Sequence, residues 1–153
     1  MEKERLMQQE NTGLAGYIRK TFALSETDVR TYSPLTLAFI GDAVFDLVIR
    51  TCVVECGNAP VNKLHKKSSK LVQATAQAEL YHLIADQLTE EEAAIYKRGR
   101  NAKSFTSAKN AGIIEYRTAT GLEALVGYLY LTDQMSRLLE LIKPQIDKLV
   151  SIS

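Results

Sequence analysis

A long helix with both of its ends written into the chain dominates this sequence. Ser33-Pro34 supplies an N-cap residue and a proline at the first helical position, and Gly57, followed by Asn58 and Pro60, stops the helix near Cys56. Between Leu35 and Ile49 the helix is apolar nearly all round, a pattern that predicts the central buried helix of a bundle. Inside its apolar run Leu37–Leu47 (LAFIGDAVFDL) stands an acid, Asp42. A second apolar run, Leu122–Leu131 (LEALVGYLYL), holds Glu123 in the same way. Burying an unpaired polar group costs on the order of 2–7 kcal/mol, and an ionised carboxylate more. Each acid is therefore expected to be paired, hydrogen-bonded or bound to a cation.

The remaining signals are also helical. Residues 14–24 carry apolar groups at helical spacing. Pro60 opens a helix through Lys67, and a longer one is predicted over about Lys70–Gln87 with Leu71, Ala74, Ala78, Tyr81 and Ala85 on one side. Thr89-Glu90-Glu91-Glu92 reads as a capping box for a helix ending near Gly99. Residues 99–115 are rich in Gly, Ser and Asn and form the least regular stretch. A helix at about 117–131 and a last one from Thr132 follow, the latter with an apolar stripe through Met135, Leu138, Leu139, Ile142, Ile146 and Leu149 and a kink at Pro144. No convincing strand alternation is present, so the expected class is all-α, one domain over residues 1–153.

The 153 residues can bury a real core, and 46% hydrophobic with 24% charged residues is ordinary for a soluble globular protein. No run approaches 18 apolar residues and the N-terminus lacks a secretory pattern, so cytoplasmic residence with no membrane partner is expected. Cys52 and Cys56 read as reduced helix cysteines, because no further zinc ligands lie at suitable spacing and His65 and His82 are isolated. Net charge is only +1, but cations are segregated: Lys63, Lys66, Lys67 and Lys70 stand without an acid among them, as do Lys97, Arg98, Arg100, Lys103 and Lys109. Such segregation gives either a nucleic-acid-binding face or a solvated lysine face.

Asp42 and Asp46 lie four residues apart, on one helical face. Gly41 beside Asp42, and Gly127 one turn after Glu123, are mid-helix glycines that would let two helix backbones approach and bring Asp42 and Glu123 together. Facing carboxylates repel unless a proton or cation intervenes. Magnesium suits such a pair, since it takes oxygen ligands, keeps several waters and needs only one or two carboxylates plus substrate phosphate. Three structural alternatives stand beside this reading. Thr120-Gly121-Leu122-Glu123 can be a capping box, Asp46 can pair with Arg50, and Asp42 can meet a lysine from elsewhere.

At these residues the chain resembles the ribonuclease III family. The family's signature helix reads roughly Leu-Glu-Phe-Leu-Gly-Asp-Ala-Val, and Leu37–Val44 (LAFIGDAV) departs chiefly in having Ala38 where the family has glutamate. Its second motif, an Asp two residues before Phe-Glu-Ala-Leu, is matched by Thr120-Gly121-Leu122-Glu123-Ala124-Leu125, with Thr120 in place of the aspartate. Of four family metal-site acids, Asp42 and Glu123 remain. That reduced set, with RGRNAK at Arg98–Lys103, Lys109-Asn110 and EALVGYLYL at 123–131, is similar to the Mini-ribonuclease III subfamily, which consists of the catalytic domain without a double-stranded-RNA-binding domain. The similarity spans about Ser33 to Thr132.

The resemblance implies a single all-α ribonuclease III-type endonuclease domain acting as a homodimer on double-stranded RNA and maturing both ends of the 23S ribosomal RNA precursor. It implies Mg²⁺, replaceable by Mn²⁺, held by Asp42 and Glu123 as catalytic residues, with Gly41, Asp46 and Thr120 in support. RNA would be bound by Lys97, Arg98, Arg100, Lys103 and Lys109, then Lys63, Lys66 and Lys67, with Gly99 in a loop close to a phosphate. The competing expectations are a catalytically inactive, ribosome-associated RNA-binding module and a helical interaction protein whose acids are all salt-bridged.

Overall fold

The computed structural model describes residues 13–102 and 112–152. Among these the elements are α1 (Leu14–Thr21), α2 (Pro34–Glu55), α3 (Val61–Val72), α4 (Ala74–Ile84), α5 (Glu90–Arg100), α6 (Gly112–Leu131) and α7 (Met135–Ile152), with 3₁₀ turns at Val29–Thr31 and Ala85–Gln87. No strand occurs among the described residues, and no helix there is long and apolar enough to cross a membrane.

Local chemistry sets most of the boundaries. The Ser33 hydroxyl accepts the Thr36 N–H at 3.1 Å, Pro34 opens α2, and Gly57 leaves it with φ 144°. Thr89 and Glu92 form the reciprocal capping box of α5, and Glu92 also receives Arg137 of α7 at 2.9 Å, which stitches the two helices together. Arg19 of α1 reaches the end of α6 through Asp133 at 2.6 Å.

Three expectations need correcting. The central buried helix is α6, not α2: every residue from Thr118 to Tyr130 is buried except Glu123, which is half-buried. The second half of that helix is apolar nearly all round, and α2, α4 and α5 pack against it. In α2 the apolar residues divide between two faces. Leu37, Val44, Phe45, Ile49 and Val53 enter the core, whereas Leu35, Ala43 and Leu47 are exposed and Phe39 is 80% exposed. Finally, the predicted break near Lys67 falls at Gln73, so α3 is longer and α4 shorter than the pattern suggests. The new phase buries Ala76, Gln77, Ala78, Leu80 and Ile84 and leaves Tyr81 half-buried.

The α2–α6 crossing is made by glycine in a reciprocal way. A Cβ on Gly41 would overlap the Glu123 carbonyl oxygen, and a Cβ on Gly127 would overlap the Leu37 carbonyl oxygen. Each glycine thus rests on the carbonyl four residues before the other, an approach that only the missing side chain permits. A second close crossing joins α5 to α6, where a Cβ on Gly99 would come within 2.8 Å of the Ala124 Cβ. Gly99 is therefore a buried helix contact rather than part of a phosphate-binding loop.

Gly127→Ala should force α2 and α6 apart and lower stability by about 2 kcal/mol or more. Gly112→Ala, where nothing among the described residues lies within 4 Å of the added carbon, should change it by less than about 0.5 kcal/mol. Urea midpoints of the two variants measure the difference.

Candidate active site

The glycine crossing decides where the acids go. Asp42 follows Gly41, and Gly41 touches the Glu123 peptide, so the two carboxylates from different helices become neighbours. Their environments are unequal. Asp42 is exposed, which overturns the expectation of a buried acid: its apolar sequence neighbours Phe39 and Ala43 are themselves on the surface. Glu123 is half-buried, and burial together with the nearby Asp42 charge pushes its carboxyl up to about 8. The nearby Gln77 side chain works in the opposite direction and favours the ionised form.

The structural alternatives can now be weighed. Thr120 lies in mid-helix and its hydroxyl donates to the Tyr116 carbonyl at 2.9 Å, so the capping box at Thr120 does not exist. Asp46 does pair with Arg50, at 3.0 Å along α2. Among the described residues the ion pairs engage Asp28, Asp46, Glu79, Glu92, Asp133, Glu140 and Asp147; neither Asp42 nor Glu123 is in one. No third His, Cys, Asp or Glu joins them into a metal-binding group of the usual kind among the described residues. The pair therefore presents oxygens from two carboxylates and leaves the remaining positions of an octahedral ion to water or substrate, which suits Mg²⁺ or Mn²⁺. Ala38 is buried in the core cluster, so the family's additional acid has no counterpart there.

The expected basic residues fall into three groups. Lys97 and Arg100 are exposed on the last turns of α5, while Lys63 and Lys66 are exposed and Lys67 half-buried on α3. Arg98 is exposed but leans on the Tyr32 and Arg30 carbonyls at 3.3 and 3.5 Å, tying α5 to the segment that enters α2. Lys103 and Lys109 lie outside the described residues. Sequence reasoning missed Gln77, which is 1% exposed beside Glu123. Its signal was a polar residue between Ala76 and Ala78 on a helix face otherwise apolar.

Comparison with known proteins bears on this arrangement. The ribonuclease III domain family matches residues 35–134, which contain both acids and both glycines of the crossing. The chain belongs to the ribonuclease III family. It is an endoribonuclease, and within the family its similarity is to Mini-ribonuclease 3. The Mini-ribonuclease 3 of Thermoanaerobacter sp. (strain X514) is 51% identical over 82% of this chain and 88% of the relative. That of Enterococcus faecalis is 50% identical over 75% of this chain and 89% of the relative. Among solved structures, a protein from Fusobacterium nucleatum superposes with a TM-score of 0.72 at 34% identity, covering 80% of this chain and 94% of that one.

The elevated Glu123 carboxyl of this ribonuclease III domain has a consequence for stability. Unfolded, the group titrates near the ordinary glutamate value of 4.5, whereas folded it titrates at about 8. Between these values the folded state holds a proton that the unfolded state has lost, so stability falls as pH rises through that window. In EDTA at pH 8, Glu123→Gln should therefore raise stability by about 1–2 kcal/mol, and the gain should vanish near pH 4, where the wild-type group is neutral in both states. Denaturant melts at the two pH values measure it; an equal gain at both would contradict the assignment.

Proposed function

We propose that this protein is a magnesium-dependent endoribonuclease of double-stranded RNA, the chain acting as one catalytic domain in a cytoplasmic homodimer. Its proposed substrate is the stem that carries both ends of the 23S ribosomal RNA precursor. The observation that carries the reading is the Asp42–Glu123 pair, brought together from two helices and in no ion pair among the described residues. Two adjacent oxygen donors that hold a proton near neutral pH are a site for a divalent cation to displace it.

Asp42 and Glu123 would hold the ion. When bound, Mg²⁺ supplies Lewis acidity toward a phosphate oxygen and makes the attacking water more acidic. In the hydrolysis, water adds to phosphorus and the P–O3′ bond breaks with its electron pair going to the 3′-oxygen. The products are a 5′-phosphate and a 3′-hydroxyl. Exposed Asp42 is open to a phosphate arriving from solvent, while half-buried Glu123 fixes the inner side of the site.

Binding would rest on cations that the fold leaves unpaired. Among the described residues the ion pairs use Arg19, Arg30, Arg50, Arg137, Lys143 and Lys148, which leaves Lys63, Lys66, Lys67, Lys97 and Arg100 available for phosphates. A-form RNA presents phosphates and 2′-hydroxyls to such a surface and hides its major-groove edges. The homodimer reading is supported by the row Leu35, Phe39, Ala43 and Leu47, an exposed apolar stripe at four-residue spacing along α2. Such a stripe marks an association surface, and Asp42 stands at its edge.

Two experiments test the proposal. Asp42→Asn should fold with a melting temperature no lower than wild type in EDTA, yet lose at least about 100-fold of Mg²⁺-dependent cleavage of a long RNA duplex and of precursor ribosomal RNA. Cleavage at the wild-type rate would refute the site. Lys97→Ala with Arg100→Ala should weaken duplex binding and reduce the slope of log affinity against log salt by roughly 1 for each phosphate no longer neutralised. An unchanged slope would remove this end of α5 from the RNA interface.

A further inference from the structure

Helix α3 carries little that would hold it in place. It buries only Ser68 and Leu71, with Leu64, Lys67 and Val72 half-buried, whereas α4 after it buries Ala76, Gln77, Ala78, Leu80 and Ile84. Its charges also work against it. Lys63, Lys66, Lys67 and Lys70 fall at three- and four-residue spacings, where like charges destabilise a helix, and no acid lies between Val61 and Val72. Among the described residues none of these lysines is in an ion pair. Lys63, Lys66 and Lys70 are exposed, so the helix presents a row of cations to solvent.

The bend after α3 is fixed from outside it. Gln73 alone separates α3 from α4; its backbone is extended at ψ 156°, and its side chain gives α4 no cap. Gln77 ties α4 to the last residue of α3 through Nε2 and the Val72 carbonyl at 3.1 Å. Gln145 ties both sides of the bend to α7. It is fully buried, and its Nε2 donates to the Leu71 carbonyl in the last turn of α3 at 3.1 Å and to the Ala76 carbonyl in the first turn of α4 at 3.2 Å. Carbonyl oxygens only accept, so the NH₂ group faces both and one hydrogen serves each helix. A single planar amide thus sets the spacing of the two helix ends, and with it the direction in which α3 leaves α4.

What this clamp directs is the lysine row. A duplex offers its phosphates at set spacings, and cations already held in one direction bind them with less ordering cost. We propose that Gln145 is a positioning residue for duplex RNA binding: by fixing the α3–α4 bend from α7, it aims Lys63, Lys66 and Lys67 at phosphates that it does not itself touch. The inference rests on the reading of those lysines as part of the RNA surface.

A double-mutant cycle read by duplex RNA affinity over a range of salt tests it. Lys63→Ala, Lys66→Ala and Lys67→Ala combined should lower the slope of log affinity against log salt by roughly 2–3. Gln145→Met, with no residue of the row altered, should lower that slope by about 1 or more and raise KM for duplex RNA more than it lowers kcat. The Met variant should fold, with a reduced melting temperature, because it removes the unpartnered Gln145 Oε1 along with the two donors. Gln145→Asn, whose amide stops one methylene short of the bend, should show the same loss of slope. In the Gln145→Met background the three lysine substitutions should cost less than they do in wild type, since a row no longer aimed has less to lose. The inference is overturned if the Gln145 variants keep the wild-type slope, if their effect adds fully to that of the lysine substitutions, or if neither variant folds, which would make the clamp a requirement of folding alone. If the lysine substitutions leave the wild-type slope unchanged, the reading of α3 as RNA surface falls first and this inference with it.

Discussion

Everything that positions this site depends on the contact between the α2 and α6 backbones at Gly41 and Gly127. Each glycine occupies space beside the carbonyl one turn before the other, and no side chain fits in either place. Mid-helix glycine costs roughly 1 kcal/mol relative to alanine, so the chain sacrifices helix stability twice at this crossing. What it gains is proximity. Asp42 and Glu123 flank the contact, and at an ordinary interhelical distance of about 8–10 Å they would stand farther apart.

Proximity has its own electrostatic cost. Burial and the Asp42 charge together hold a proton on Glu123 to about pH 8, so the ion-free protein is under tension at the pair throughout the neutral range. The rest of the fold is arranged to withstand it. A helix buried from Thr118 to Tyr130 except at Glu123 itself carries that acid, and a second glycine crossing at Gly99 locks the helix to α5. Function and stability pull against each other at one residue, as is common where a binding site is built before its ligand arrives.

Much of this is legible in the sequence because it is written in local chemistry. The Ser33-Pro34 start, the Gly57 stop and the Thr89 capping box involve residues within a turn or two of each other, and all three stand in the structure. The glycine-beside-acid pattern at Gly41-Asp42, with Gly127 one turn past Glu123, points to the crossing correctly. Burial is the weaker part. An apolar stretch reports that surface wants cover and does not say whether the cover is this chain's own core, so the pattern turns Phe39 and Leu47 inward although they lie 80% and 53% exposed. The break at Gln73 escapes the local pattern because tertiary hydrogen bonds from Gln145 fix it, 69 residues or more away in sequence from the carbonyls it meets. Gln77 escapes notice for a similar reason, since the Glu123 it influences lies on another helix.

Whether two carboxylates on separate helices converge on one divalent ion is decided most directly by locating the ion. Crystals soaked in Mn²⁺ and measured at the manganese absorption edge give its position independently of any assay. A single anomalous peak is expected within about 2.0–2.2 Å of one oxygen from each of Asp42 and Glu123. A peak bound by only one of them, or by residues elsewhere, would contradict the convergence.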